Sequence, residues 1–305
     1  IPLRGGAGKE VVREKREHAW INLHDMLVPL REGGGFLWAS ERTGFAHLYR
    51  YDADGKLAAT LTSGEWMVES TSAAMVDEPN GVVYFTGTKD SPKECHLYAT
   101  SLSGDAHVRR VTPPGGMHSI LAMDHRKQCY IDSYSSLDAP FRVSVCSLKD
   151  GSTVRDLYDG ASDEKVQTLQ LTPPEMFSIT ADDGTTQLHG ALYKPDPAQH
   201  GAGPYPTLVS VYGGPHAQMV ADSWTLTADL RAQRLRSQGY AVVKLDNRGA
   251  ARRGLAFESA LRHDMGNVEV TDQVTAVKHW IAQGVVKEGA VGIYGWSYGG
   301  GMRAL

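Results

Sequence analysis

The chain has 305 residues, a length that suits about two domains, and 41% of them are hydrophobic, enough to bury a sizeable core. Lysine and arginine total 31 against 35 acidic residues, which gives a formal net charge of −4. This balance offers no electrostatic basis for binding nucleic acid or an anionic membrane surface. No apolar run approaches the roughly 20 residues that span a bilayer, so we expect no membrane partner.

The three cysteines are Cys95, Cys129 and Cys146, an odd number without a CxxC pair. This pattern predicts neither a disulfide framework nor a zinc site, and it favours a reduced, cytoplasmic setting. The chain opens on Ile1 rather than methionine and has no secretory hydrophobic segment there. We therefore expect an internal part of a longer protein.

Residues 1–172 are predicted to be all-β, because short β-prone runs alternate with turn residues such as Asp54-Gly55 and Asn80-Gly81. The strand candidates are residues 36–39, 47–51, 81–85 and 96–99.

An internal repeat sharpens this interpretation. His47-Leu48-Tyr49 recurs 49 residues later as His96-Leu97-Tyr98. Similarly, Leu61-Thr62-Ser63-Gly64 corresponds to Val111-Thr112-Pro113-Pro114-Gly115 at a spacing of 50. Several strands within a period near 50 are typical of a propeller blade. We expect residues 1–172 to form a partial β-propeller of three or four blades. A β-sandwich with coincidental tripeptides is the alternative.

After Thr172-Pro173-Pro174 the pattern changes to alternating strands and helices, which predicts a partial α/β domain over residues 173–305. A helix ending at Gly284 is predicted from one apolar stripe formed by Val270, Val274, Val277 and Ile281. We expect a largely parallel sheet covered on both faces. The strand candidates are residues 188–193, 207–212, 240–245 and 291–294.

The pentapeptide Gly295-Trp296-Ser297-Tyr298-Gly299 has the pattern of a nucleophile elbow, a sharp strand-to-helix turn that exposes a serine hydroxyl. In a chain with 33 glycines the pattern alone is weak, but a β-prone run precedes it and the domain is α/β. We predict that Ser297 is an acyl-enzyme nucleophile and that the amide of Tyr298 donates to the oxyanion. The alternative is a buried serine in a glycine-rich turn.

The second oxyanion donor is expected from the loop after an earlier strand, where Tyr212-Gly213-Gly214 stands. Because tyrosine precedes the glycines, its hydroxyl is the candidate donor; a tyrosine that only closes the strand is the alternative. Arg248 follows the next strand and is interpreted as structural or pocket-shaping.

Acids and histidines that precede Ser297 are not assigned to a triad, because in this fold the triad acid and histidine follow the serine. The residues set aside on this ground are His189, His216, His263, His279, Asp222, Asp246, Asp264 and Asp272.

The ordered motifs Val-Tyr-Gly-Gly-Pro, Asp-Asn-Arg-Gly and Gly-Trp-Ser-Tyr-Gly-Gly resemble the prolyl oligopeptidase family of serine peptidases and its dipeptidyl peptidase IV branch. Segments such as Trp20-Ile21-Asn22-Leu23-His24-Asp25 are most similar to the cytosolic members of that branch.

The resemblance implies release of N-terminal dipeptides after a penultimate proline or alanine, from peptide substrates and without a metal or organic cofactor. It implies that Ser297 is the nucleophile, Tyr212 the oxyanion tyrosine, Tyr298 an amide donor and a wall of the proline pocket, and Phe45 a residue lining the substrate cavity. Arg248 is a further substrate-binding candidate. A homodimer is the expected state of the complete protein.

Two departures from the family pattern bear on this reading. The family holds the substrate amine with paired glutamates, and no Glu-Glu occurs in this chain. The eight residues after Ser297 contain neither the aspartate nor the histidine of a triad, so we expect this chain alone to be inactive. An acylaminoacyl peptidase or prolyl endopeptidase of the same family, and a non-catalytic propeller protein with an inactive hydrolase domain, are the alternatives.

Overall fold

The computed structural model describes residues 8–31, 33–105 and 107–302. The first seven and last three residues, which the two predicted domains include, lie outside this range. The chain folds into two compact units. The first comprises the chain up to Pro114 together with 118–132 and 144–155, and the second comprises 115–117, 133–143 and the chain from Asp156.

The regular secondary structure in the first half of the chain is almost entirely strand, as its sequence pattern predicts. Two 3-10 turns, Ala73–Met75 and Gly160–Ser162, and helix α1, Glu164–Leu169, interrupt or follow the strands. The strands are β1 Leu27–Pro29, β2 Phe36–Ser40, β3 His47–Tyr51, β4 Leu57–Thr60, β5 Val68–Ser70, β6 Val76–Asp77, β7 Val82–Gly87, β8 His96–Ser101, β9 Arg109–Arg110, β10 Met117–Met123, β11 Cys129–Ser135, β12 Arg142–Ser147 and β13 Thr153–Asp159.

These strands form successive small sheets in chain order. The first has the order β1-β2-β3-β4, the second β5-β7-β8-β9 with β6 also paired to β7, and the third β10-β11-β12-β13. Neighbouring strands of the first two sheets are antiparallel. This meander of about four strands per sheet is the blade arrangement that the period near 50 residues predicts.

The sequence repeat corresponds to a repeated buried contact. Nδ1 of His47 lies 3.0 Å from Oγ1 of Thr62, and Nδ1 of His96 lies 3.1 Å from Oγ1 of Thr112. Each threonine hydroxyl also accepts the backbone N–H of the residue after its histidine, and both histidines are fully buried. Because a buried polar group needs a partner, the histidine and the threonine recur together in consecutive blades.

Central strands of the first unit, such as β7, are buried on both faces. Alternate side chains of one strand enter different clusters: Phe85 packs with Leu37 and Leu48, whereas Tyr84 packs with Leu97 and Tyr130. Successive side chains of a strand point to opposite faces, so the second sheet is packed on both sides at β7.

The second unit carries the α/β pattern. Its strands are β14 Glu175–Thr180, β15 Gln187–Tyr193, β16 Tyr205–Val211, β17 Ala241–Asp246 and β18 Val286–Gly295. A 3-10 turn spans Ser259–Leu261. The helices are α2 Pro197–His200, α3 Trp224–Thr227, α4 Leu230–Ser237, α5 Leu255–Glu258, α6 Val268–Ala282 and α7 Tyr298–Met302.

The sheet of this unit is mixed, so the expectation of a largely parallel sheet was only partly right. The order is β14-β15-β17-β16-β18; β16 pairs in parallel with β17 and with β18, whereas β14–β15 and β15–β17 are antiparallel. A short turn joins β14 to β15, and a connection of that length permits only an antiparallel pair.

Helices cover both faces of this sheet, as the sequence predicts. Ala241 and Val243 of β17 pack with Trp280 of α6, whereas Val242 between them packs with Ala232 of α4. Within the described ranges, no helix has the length and apolar character needed to cross a membrane.

The apolar stripe predicted for α6 marks only part of its buried face, since Val270, Val277 and Ile281 pack against core clusters but Val274 does not. The helix ends near Gly284 as predicted, but Val274 is 43% exposed, and Val270, Val277 and Ile281 are only half-buried. The buried positions are Glu269, Asp272, Gln273, Ala276 and Trp280. Helix α6 therefore turns acidic and amide side chains inward at its amino-terminal end.

Candidate active site

Ser297 lies on a sharp turn between strand β18 and helix α7, the strand–turn–helix that the pentapeptide predicts. Its φ is +55°, in the left-handed region that non-glycine residues rarely adopt. Such a backbone conformation costs about 1–3 kcal/mol and is characteristic of functional turns. The serine is exposed, so its hydroxyl is available to a reacting group.

The glycines on either side of Ser297 are required by close backbone approach. A Cβ on Gly299 would lie 2.1 Å from the carbonyl oxygen of Val211, and one on Gly295 would lie 2.5 Å from the same oxygen. Any side chain at either position would collide with the end of β16. The elbow is therefore pressed against the strand that leads to Tyr212.

Tyr212 leaves the sheet beside the elbow. In the parallel pair of β16 and β18, Val211 is the partner of Gly295, so the loops after both strands begin at the same sheet edge. The rings of Tyr212 and Tyr298 have centroids 6.2 Å apart. A Cβ on Gly214 would lie 2.6 Å from Cγ of Tyr298, so the Tyr298 ring lies directly against the Tyr212 loop.

A hydrogen-bonded chain that sequence reasoning missed holds the Tyr212 loop. Nδ2 of Asn247 donates to the carbonyl oxygen of Gly213 at 2.9 Å, and Nε2 of Gln273 donates to Oδ1 of Asn247 at 3.0 Å. Asn247 is fully buried and Gln273 nearly so. The loop after β17 and helix α6 thus fix the backbone that carries Tyr212.

Sequence reasoning also missed Glu269, a fully buried residue in the first turn of α6. Its Oε1 accepts a hydrogen bond from the phenol of Tyr298 at 2.6 Å. Burial, together with this carboxylate, raises the pKa of Tyr298 above its ordinary value, so the phenol stays protonated and donates.

Arg248 is engaged by carboxylates. Its guanidinium contacts Asp272 at 2.7 Å, Asp183 at 3.4 Å and Asp182. The hydrogen bonds that the guanidinium donates to the Asp272 carboxylate are the main cause of the raised pKa of Arg248. This arrangement ties the loop after β17 to α6 and to the β14–β15 turn, which favours the structural reading; a substrate-binding role stays a prediction.

The acids set aside by chain order have other partners. The Asp246 carboxylate accepts the backbone N–H groups of Met219 and Val220 at 2.6 and 3.0 Å. That of Asp222 accepts those of Gly116 and Leu137 at 2.9 Å each. These acids stabilise loops.

His216 and Phe45 complete the residues singled out by sequence. His216 is exposed, has a φ of +61°, and lies 3.6 Å from the Glu258 carboxylate through Nε2. Phe45 is half-buried in the turn between β2 and β3 of the first unit, and its role in a substrate cavity stays a prediction.

Four-stranded sheets repeated along the first part of the chain, followed by an α/β sheet with a serine elbow, define the class of protein. It is a β-propeller followed by an α/β-hydrolase domain.

Family comparison gives the particular assignment. Residues 4–141 match the dipeptidyl peptidase IV (DPP IV) N-terminal region, and residues 226–305 match the prolyl oligopeptidase family. The chain belongs to the prolyl oligopeptidase family.

Curated relatives extend this similarity over nearly the whole chain. Dipeptidyl peptidase 8 of Mus musculus is 36% identical over 330 aligned residues, covering 97% of this chain and 37% of that protein. The Homo sapiens protein of the same name is also 36% identical, with 97% and 36% covered. Probable dipeptidyl-aminopeptidase B of Neosartorya fischeri is 31% identical, with 89% and 29% covered. The chain therefore spans only 29% to 37% of the length of these relatives.

Proposed function

We propose that the protein containing this chain is a serine dipeptidyl peptidase that releases N-terminal dipeptides after a penultimate proline or alanine. The observation that carries the proposal is the left-handed backbone of Ser297 between β18 and α7, beside the Tyr212 loop. The names of the curated relatives support dipeptide release rather than another acyl transfer.

In this proposal Ser297 attacks the carbonyl carbon of the scissile bond and forms an acyl-enzyme. The backbone amide of Tyr298 and the hydroxyl of Tyr212 donate to the oxyanion, a contribution typically worth about 3–4 kcal/mol per donor. The Tyr298 ring forms a wall of the pocket for the penultimate residue. Neither a metal nor an organic cofactor is needed for this chemistry.

We also propose that this chain of 305 residues, expressed alone, shows no turnover. Serine is a weak nucleophile unless a base takes its proton, and no histidine follows Ser297 in the chain. Turnover of a glycyl-prolyl reporter by the isolated chain would overturn this part of the proposal.

A peptide substrate, a homodimeric state and a cytoplasmic setting complete the proposal. The last is supported by the three cysteines, which form no disulfide with one another in the structure.

The test compares three reporters on the full-length protein: free-amine glycyl-prolyl, N-acetylated glycyl-prolyl and an internal prolyl peptide. We expect cleavage of the first only, labelling of Ser297 by a fluorophosphonate, and loss of both in Ser297→Ala. Cleavage of the acetylated reporter would indicate an acylaminoacyl peptidase or an endopeptidase. A protein that neither labels nor cleaves would be the non-catalytic propeller protein.

A further inference from the structure

Glu269 has a buried carboxylate whose two oxygens differ in their hydrogen bonds. Its side chain is fully buried, and Oε1 accepts two hydrogen bonds, from the Tyr298 phenol and from the backbone N–H of Gly266, both at 2.6 Å. Oε2 is buried and makes no hydrogen bond within the described ranges. Because burying a carboxylate with an unsatisfied oxygen is costly, its presence here calls for a reason other than stability.

The residue that Glu269 holds is the one directly after Ser297. Tyr298 is the first residue of α7, and its ring lies against the backbone of Gly214 at one end. Its phenol is bound by Glu269 at the other end. The ring is therefore fixed between the Tyr212 loop and helix α6.

The Tyr298 ring packs against the cluster of Val209, Val211 and Met302, but one side of it borders open space. A cavity of about 310 Å³ adjoins it, lined by Met265, Gly266, Glu269, Tyr298, Gly301 and Met302. A tyrosine without its hydrogen bond would have space to rotate away from Gly214. The bond to Glu269 is a directional contact at the phenol end of the ring, and it favours one ring orientation.

We propose that Glu269 is a positioning residue for the reaction at Ser297, acting through Tyr298; this rests on the function proposed above. By holding the phenol, it keeps the Tyr298 ring against Gly214 and the start of α7 in one orientation. The Tyr298 amide and the Ser297 hydroxyl leave the chain at that same point, so their direction toward the reacting carbonyl depends on this bond. Misplacement by about 1 Å costs roughly 100-fold in rate.

A purely structural role makes a different prediction. Glu269 also accepts the N–H of Gly266, just before α6, and an acid in the first turn of a helix is stabilising. If helix capping were the whole role, removal of the side chain would lower stability and leave the rate of the folded enzyme unchanged.

The experiment measures kcat, KM, thermal stability and the rate of Ser297 labelling by a fluorophosphonate in the full-length protein. The variants are Glu269→Ala, Glu269→Gln, Tyr298→Phe and the double variant Glu269→Ala/Tyr298→Phe. Glu288→Ala, at an exposed glutamate on β18, is the matched control.

We expect Glu269→Ala and Tyr298→Phe each to slow labelling and kcat by roughly 10- to 100-fold. The double variant should be no slower than either, because both remove the same bond. Glu269→Gln keeps an acceptor for the phenol and should stay within a few-fold of the parent, as should Glu288→Ala. If Glu269→Ala does not fold, Tyr298→Phe and Glu269→Gln still distinguish the two roles.

Additive effects in the double variant, or a loss of thermal stability with labelling and kcat intact, would overturn the inference. A parent protein that labels at Ser297 but releases no dipeptide would refute the proposed function instead. In that case the labelling rates of the variants still decide whether Glu269 positions Tyr298.

Discussion

Nδ2 of Asn247 lies 2.9 Å from the carbonyl oxygen of Gly213. This contact joins the loop after β17 to the loop after β16. Gln273 of α6 supports it from behind by donating to Oδ1 of Asn247. Helix α6 thus reaches both predicted oxyanion donors, Tyr212 through Gln273 and Asn247, and Tyr298 through Glu269.

Asn247→Ala should leave the carbonyl groups of Gly213 and Arg248 without a donor in a buried place. We expect a loss of about 1–3 kcal/mol in the free energy of unfolding. Urea unfolding measures this loss, and fluorophosphonate labelling reports the accompanying slower reaction at Ser297. Gln283→Ala, at an exposed position just after α6, is the control. If Asn247→Ala is destabilised but labelled at an unchanged rate, the contact stabilises the loop without positioning the oxyanion donors.

Gly299→Ala should disrupt the elbow, because the added Cβ would lie 2.1 Å from the Val211 carbonyl oxygen. Overpacking of this kind costs about 1–3 kcal/mol, and here the strain falls on the turn that carries Ser297. We expect Ser297 labelling to be lost.

Gly301→Ala is the matched control in the same helix, since no described atom outside its own stretch of helix backbone lies within 4 Å of its Cβ position. Alanine is a better helix former than glycine by about 1 kcal/mol, so this variant should be neutral or more stable. Equal loss of labelling in both variants would show that the glycines matter for helix α7 as a whole rather than for the close approach at Gly299.

Sequence patterns predicted the strands of this chain well, because a strand is marked by a short run of β-prone residues between turn residues and needs no information from distant residues. The run 96–99 became β8, and the run 291–294 became the end of β18. The serine turn was equally local, since small residues on both sides of Ser297 are needed wherever the chain bends this sharply.

The support of the elbow could not be predicted in the same way. Hydrophobic periodicity assigned the inward face of α6 to three valines and Ile281, whereas Glu269, Asp272 and Gln273 are the buried residues of its amino-terminal half. Their spacing of three and four positions places them on one helical face, and this spacing was the sequence feature that could have indicated a shared polar face. Polar residues on a helix ordinarily face solvent, and only the tertiary contacts with Tyr298, Arg248 and Asn247 reverse that expectation.

Asp272→Ala should destabilise the protein more than Asp182→Ala, although both remove an ion pair with Arg248. The Asp272 side chain is fully buried. Its loss leaves the mostly buried guanidinium of Arg248 without its buried counter-charge, at a cost of about 3–5 kcal/mol. The Asp182 side chain is 52% exposed, and exposed pairs contribute about 0–1 kcal/mol. Urea unfolding in low and high salt measures both. Equal losses that vanish in high salt would indicate that both pairs behave as surface charges.

Asp246 should make stability depend on pH near neutrality. Burial raises the pKa of this carboxyl to about 7, against an ordinary value near 4. Between pH 4 and pH 7 the folded chain therefore holds a proton that the unfolded chain releases. The contribution of Asp246 to the free energy of unfolding is fully present below pH 4 and is lost as the pH rises through 7.

The variant Asp246→Asn should remove this dependence. Its free energy of unfolding relative to the parent should therefore rise as the pH increases from 5 to 8. Thermal unfolding of the full-length protein across that range measures the difference. Asp222→Asn is the control, because it replaces a half-buried carboxylate that also accepts two backbone N–H groups. Parallel pH profiles for the parent and Asp246→Asn would show that the Met219 and Val220 amides keep the carboxylate ionised in the folded protein.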